Sequence, residues 1–122
     1  MGNIHPGDNR VNDAPYMTST QTSLFRQHNR VAEELAALNP HWGDERLYQE
    51  SRRIVIAQWQ HIIYNEFLPV LIGRQKMEEL GIFPLQHGFS RDYDDKVNPS
   101  ILNEFTVTAY RFGHSLVPEK QL

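Results

Sequence analysis

Phe25–Gly73 reads FRQHNRVAEELAALNPHWGDERLYQESRRIVIAQWQHIIYNEFLPVLIG, and this stretch decides the fold class. Around its start, Leu24, His28, Val31, Leu35 and Leu38 recur at i, i+4, i+7, i+11 and i+14. That spacing puts all of them on one face of a helix about five turns long. Thr18-Ser19-Thr20-Gln21 has capping-box spacing and predicts where the helix begins. Asn39-Pro40 ends it, because proline pushes the preceding residue out of the α region. Gly43-Asp44-Glu45 opens a second helix, with Asp44 as N-cap and Glu45 suited to the positive end of the helix dipole. This helix runs through Leu47, Ile54, Val55, Trp59, Ile62, Ile63 and Phe67. Its stripe is broad enough to touch more than one neighbour, and Pro69 breaks or restarts it.

Outside that stretch the pattern remains helical. Arg74–Leu80 predicts a short helix stopped by Gly81. Residues 82–97 read as a loop with turn signals at Gln86-His87-Gly88 and Asp92–Asp95. Asn98 as N-cap and Pro99 at the first helical position open a last helix. Ile101, Leu102, Phe105, Ala109, Phe112 and Leu116 give its expected buried face, and Pro118 its end. The Trp and Tyr residues stand among aliphatics and read as core. Residues 1–17 hold Gly, Pro, Asn and Asp without a period, so they read as an extended arm, with residues 18–122 as the helical part. No strand signal and no internal repeat is present, and the class is all-α.

Composition narrows the function. The 122 residues suit one domain with a modest core, although an apolar share of 39% is low for a self-contained globule. Net charge is −3 with both signs interspersed, which leaves no basic patch for nucleic acid and no polybasic segment for a membrane surface. No apolar run approaches the roughly 18 residues of a spanning helix. The N-terminus MGNIHPGDNR lacks the apolar stretch of a signal peptide, and Pro6 stands where a myristoylation site needs Ser or Thr. Cysteine is absent, which excludes disulfides and thiolate-held zinc or iron–sulfur sites. Taken alone, that absence leans slightly toward a reducing compartment.

Two short motifs carry the chemistry. The first is Gly7-Asp8-Asn9-Arg10-Val11-Asn12-Asp13, and the second is Asn103-Glu104-Phe105 followed by Ala109-Tyr110-Arg111-Phe112-Gly113-His114-Ser115-Leu116. Taken singly, a histidine near a helix end is ordinarily structural, and an arginine in a polar loop is ordinarily a solvated charge. In order and spacing, the two motifs and the helices between them resemble the animal haem peroxidases (the myeloperoxidase, peroxidasin and peroxinectin group, arthropod-like branch). The resemblance implies haem b as cofactor, with His114 as the proximal iron ligand through a neutral imidazole nitrogen. It implies Arg111 as partner of a haem propionate, since a guanidinium forks onto a carboxylate with paired hydrogen bonds. Gly113 removes a side chain where the ring plane would approach.

The same resemblance makes Arg10 the distal arginine, a fixed cation that stabilises charge developing on the leaving oxygen of peroxide. It places Asp13 where the family typically has a glutamate esterified to a haem methyl. Aspartate is one methylene shorter, and an ordinary turn residue before Pro15 is an equal reading. Ala14 stands where the myeloperoxidase branch has a methionine making a second haem link, so that bond is not expected. The other histidines have no metal-ligand spacing. His28 reads as a satisfied residue on the helix stripe, and the adjacent pairs Glu33-Glu34, Glu78-Glu79 and Asp94-Asp95 as solvated surface.

The resemblance implies a haem-dependent enzyme that reduces hydrogen peroxide while oxidising a halide, phenolic or protein donor, mostly in secreted proteins that respond to oxidants. It starts at about residue 7 and covers only an inner piece of a longer domain. The family's distal histidine and calcium loop lie upstream of the matched segment, and the asparagine that bonds the proximal imidazole lies downstream. The expectation is therefore an internal fragment. The alternative is a truncated, non-catalytic haem-binding or protein-interaction module. Fatty-acid oxygenation, the chemistry of the cyclooxygenase branch, is more distant because that branch has a different ligand motif. Assayed alone with haemin and peroxide, the chain is expected to turn over little faster than free haemin. Turnover near that of an intact family member would overturn this.

Overall fold

The computed structural model describes residues 9–117. They divide into two compact units, one ending at Pro84 and one beginning at Leu85, and each is described by itself. Every regular element is helical, and no strand occurs among the described residues.

The first unit opens with a 3₁₀ turn, Asn9–Asn12, followed by helix α1, Pro15–Leu38. The helix starts four residues earlier than the Thr18 cap predicts, and the arm is not extended where it is described. Gly7 and Asp8 lie outside the described residues. Proline decides the early start. Pro15 has no N–H to leave unbonded in the first turn, and its fixed φ already suits a helix. Ala14 holds the extended cap position at φ −149° and ψ 144° without a side-chain cap. At the far end, the Asn39 backbone N–H and side-chain amide both donate to the Leu35 carbonyl, at 2.9 and 3.1 Å.

Helix α2, Asp44–Ile62, has Gly43 at the cap position, so Asp44 and Glu45 act in the first turn through the dipole rather than as caps. Arg46 lies over the Trp42 ring at 4.3 Å from its centroid, closing the corner between α1 and α2. The two helices pack together through mixed contacts. Gln27 donates to Gln58 at 3.1 Å, and His28 meets the Tyr48 ring at a centroid distance of 5.3 Å. Ser51 is fully buried, and its hydroxyl turns back to the Leu47 carbonyl at 2.6 Å, so a small polar side chain lies inside the unit with no unmet donor.

Proline governs the next change. Pro69 lacks an N–H, and its ring collides with the carbonyl one turn back. The chain relieves this by widening into a π turn, Ile63–Phe67, before one last turn, α3, Leu68–Leu71. Gly73, at φ +82°, redirects the chain into α4, Arg74–Glu79. Gly81 then stops α4 at φ +67°. The Ile82 N–H reaches the Met77 carbonyl and the Gly81 N–H reaches that of Glu78, both at 3.0 Å, which is the paired bonding of a Schellman end. Met77 is fully buried beneath it.

In the second unit, side chains fold the loop locally. Ser90 bonds the Asp92 carboxylate, Asp94 accepts from the Lys96 N–H at 2.9 Å, and Asn98 accepts from the Ser100 N–H at 3.0 Å. Asn98 therefore closes a turn and does not cap a helix. The expected long last helix is replaced by a short helix α5, Asn103–Val107, and a 3₁₀ stretch, Ala109–Leu116, joined at Thr108 with φ −131° and ψ −68°. Thr106, Val107 and Thr108 are consecutive β-branched residues, which are stiff in a helix. The apolar side chains meant to anchor it are exposed, with Ile101 at 71% and Leu102 at 73%. A helix that packs on nothing loses most of its stabilisation. Pro118 lies outside the described residues.

Burial overturns one expectation broadly. The described apolar core is Val11, Ala14, Val31 and Met77, whereas Trp59, Tyr48 and Tyr64 are exposed rather than core. Replacing Gly81 by alanine is expected to cost about 1 kcal/mol, because a Cβ is strained at positive φ even with open space around it. Denaturant unfolding of the two forms checks this, and equal midpoints would remove the role given to Gly81.

Candidate functional site

Each half of the expected site lies within one unit. In the first, Arg10 and Asp13 sit on the 3₁₀ turn and its exit, both exposed. The Asp13 N–H donates to the Arg10 carbonyl at 3.0 Å, which closes the turn. Between them, Val11 points inward at 1% exposure, and Ala14 follows at 6%. The turn is thus nailed to the unit by apolar residues while its two charged residues face out. The Thr18 hydroxyl donates back to the Val11 carbonyl at 2.7 Å, with the Ala14 carbonyl also within reach at 3.3 Å. The sequence pattern marked Thr18 as a cap. Its actual position, inside α1 and reaching back over the turn, becomes legible only once Pro15 is placed at the first helical position.

In the second unit, Arg111 and His114 share the 3₁₀ stretch Ala109–Leu116. Residues three apart eclipse on such a helix, so the two side chains leave along one line. His114 Nδ1 is 3.1 Å from the Arg111 carbonyl oxygen. A carbonyl only accepts, so in the neutral ring this contact, as a hydrogen bond, places the proton on Nδ1 and leaves the lone pair on Nε2. The Arg111 guanidinium lies 5.1 Å from the Tyr110 ring centroid, and Tyr110 stacks on Phe105 at 5.8 Å. Tyr110 is thus a platform for Arg111, a role that the reading of Tyr as core did not anticipate. A Cβ placed on Gly113 would meet nothing within 4 Å. An imidazole with its lone pair on Nε2, an adjacent guanidinium and an open backbone position fit an axial iron ligand with a carboxylate partner beside it.

Several other polar residues have local partners. His28 is half-buried, with Nε2 3.4 Å from the Tyr48 carbonyl oxygen and Nδ1 3.3 Å from Asn29 Oδ1. His61 meets the Asn65 side chain at 3.2 Å, and Arg53 pairs with Glu50 at 3.0 Å on the surface. Among the described residues no three His, Asp or Glu side chains come together as a metal site. An open apolar groove of about 730 Å³ runs between α1 and α2, lined by Leu24, Gln27, Ile54, Trp59 and Ile62. No helix among the described residues is long and apolar enough to cross a membrane.

The profile of one protein family, described as animal haem peroxidase, matches residues 3–122. The chain belongs to that family. It is 53% identical over 117 residues to a chorion peroxidase of Drosophila melanogaster, covering 96% of this chain and 14% of that protein. A chorion peroxidase of Aedes aegypti is 46% identical over 111 residues, covering 91% of this chain and 14% of the relative. Among solved structures, peroxidase A from Dictyostelium discoideum superposes with a TM-score of 0.64 at 44% identity, over 88% of this chain and 19% of that one. This animal haem peroxidase chain therefore spans about one seventh of the length of the chorion peroxidases it matches. The family expected from the motifs and the all-α class expected from the helical pattern both hold.

Nitrogen-15 NMR of the neutral histidines checks the proximal geometry. The His114 ring is expected with its proton on Nδ1, against the Nε2–H form that free imidazole side chains favour. A signal from the Nε2–H form would remove the bond to Arg111.

Proposed function

We propose that this chain carries the distal-arginine turn and the proximal-histidine element of a haem peroxidase that reduces hydrogen peroxide and oxidises a halide, phenolic or protein donor. The observation that carries the reading is the His114–Arg111 arrangement, on the segment whose order and spacing resemble the family's proximal motif. His114 would hold iron through Nε2, with its Nδ1–H on the Arg111 carbonyl in this segment and on the family's downstream asparagine where that residue is present. That second bond sets the ring's tautomer and raises its basicity as a ligand. Arg111, supported on Tyr110, would hold a propionate with its guanidinium fork. When bound, haem supplies the redox centre at which peroxide is reduced.

The rest is the work of side chains. Arg10, on a turn plugged by Val11, presents a permanent cation where negative charge develops as the peroxide bond breaks, and a preorganised charge of this kind acts without reorientation. Asp13, three residues on, stands where the family typically has the glutamate esterified to a haem methyl, but one methylene shorter, and an ordinary turn residue before Pro15 is an equal reading. The reading includes haem b, calcium elsewhere in the wider domain and an extracellular, oxidant-responding protein, as the family resemblance implies. A second reading, haem or partner binding without turnover, draws on the exposed apolar side chains Ile101, Leu102, Phe105 and Leu116 of the second unit.

Grafting residues 3–122 in place of the matching segment of the fly chorion peroxidase separates the readings. The graft is expected to retain haem and turnover. In it, His114→Ala is expected to lose haem, while Arg10→Ala keeps haem but reacts with peroxide about a hundredfold more slowly. Full haem content and turnover in the His114→Ala graft would sink the assignment. A graft that holds haem through His114 without turning over would favour the second reading.

A further inference from the structure

The feature of the first unit that the proposed function leaves unused is the hydroxyl of Thr18. It lies inside α1, seven residues after Val11, yet donates to the Val11 carbonyl at 2.7 Å. A hydroxyl has one proton, so the shorter of its two contacts is the principal bond, and the Ala14 carbonyl at 3.3 Å is secondary. The Ala14 carbonyl already receives the Thr18 backbone N–H at 3.1 Å. The Thr18 side chain therefore serves the turn before the helix rather than the helix itself. Two further features converge on the same turn. The Val11 side chain is buried at 1% exposure, and the Asp13 N–H closes the turn on the Arg10 carbonyl at 3.0 Å. Anchored through both the side chain and the carbonyl of its central residue, the turn has little freedom to swing away from α1.

We propose that Thr18 is a positioning residue that clamps the Arg10–Asp13 turn onto α1 and so fixes the direction in which the Arg10 guanidinium and the Asp13 carboxylate are presented. The importance of that direction rests on the peroxidase reading, but the clamp itself does not. Thr18→Val keeps the β-branched shape and removes the proton donor, leaving a part-buried carbonyl without it. Thr18→Ser keeps the donor and removes only a methyl group.

Trypsin reads the clamp directly, without haem or peroxide. Cleavage after Arg10 must draw out the Arg10–Val11 bond, and Val11 is buried, so the bond is cut only when the turn opens. Thr18→Val is expected to speed cleavage at Arg10–Val11 by about tenfold, the effect of roughly 1.4 kcal/mol. Cleavage after Arg52 and Arg53 within α2 should be unchanged, and Thr18→Ser should stay within about twofold of the native chain. Three results would overturn the proposal: no acceleration in Thr18→Val, equal acceleration at the α2 sites (general loosening), or a Thr18→Ser chain cut as fast as Thr18→Val. Failure of haem binding by His114 would leave the cleavage pattern untouched, so the two ideas fail separately.

Discussion

Helical hydrogen bonds are made along the chain, but most helix stability comes from covering an apolar face, and that constraint governs this molecule. In the first unit the requirement is partly met. Helices α1 and α2 cover one another, Ser51 is enclosed between turns with its hydroxyl satisfied, and Met77 is buried beneath the end of α4. In the second unit it is not met. Ile101, Leu102, Phe105 and Leu116 remain exposed, and the chain yields a single α turn followed by the tighter, weaker 3₁₀ form. The same sequence pattern thus produces long helices where a face finds a partner and short ones where it does not.

Proline and glycine supply the punctuation, each through a different restriction. Pro15 starts α1 early because a missing N–H costs nothing in a first turn. Pro69 sits where an N–H is needed, so the helix widens before it. Gly73 and Gly81 take positive φ on either side of α4, where a Cβ would be strained. These effects reach the functional residues. The early start of α1 brings Thr18 inside the helix and over the turn that bears Arg10 and Asp13.

The two candidate halves differ in how they are held. Arg10 stands on a turn fixed by a buried valine and a side-chain hydrogen bond, the anchoring expected of a cation that must be in place before charge develops. His114 and Arg111 stand on an exposed stretch whose order is local: one imidazole–carbonyl contact and a stack of Phe105, Tyr110 and the Arg111 guanidinium. Local order of this kind sets the tautomer and the side chains' common line. It does not supply the low-dielectric surroundings that strengthen ligation and electrostatic catalysis, because nothing within the second unit covers these groups.

By itself the sequence determined the all-α class, the two long helices, the Gly81 stop and the family. Helical period, proline and glycine act over a few residues, and the Arg10 and His114 motifs are local strings. The sequence also placed Arg111 beside His114, since three residues on any helix return to nearly the same side. Only the tertiary structure decided the rest. It made Thr18 a clamp rather than a cap, left Tyr110 as a platform beneath a guanidinium, and broke the expected last helix at Thr108. It also turned the expected aromatic core into surface. An amphipathic stripe specifies a face that favours burial, but only a surface packed against that face decides whether it is buried.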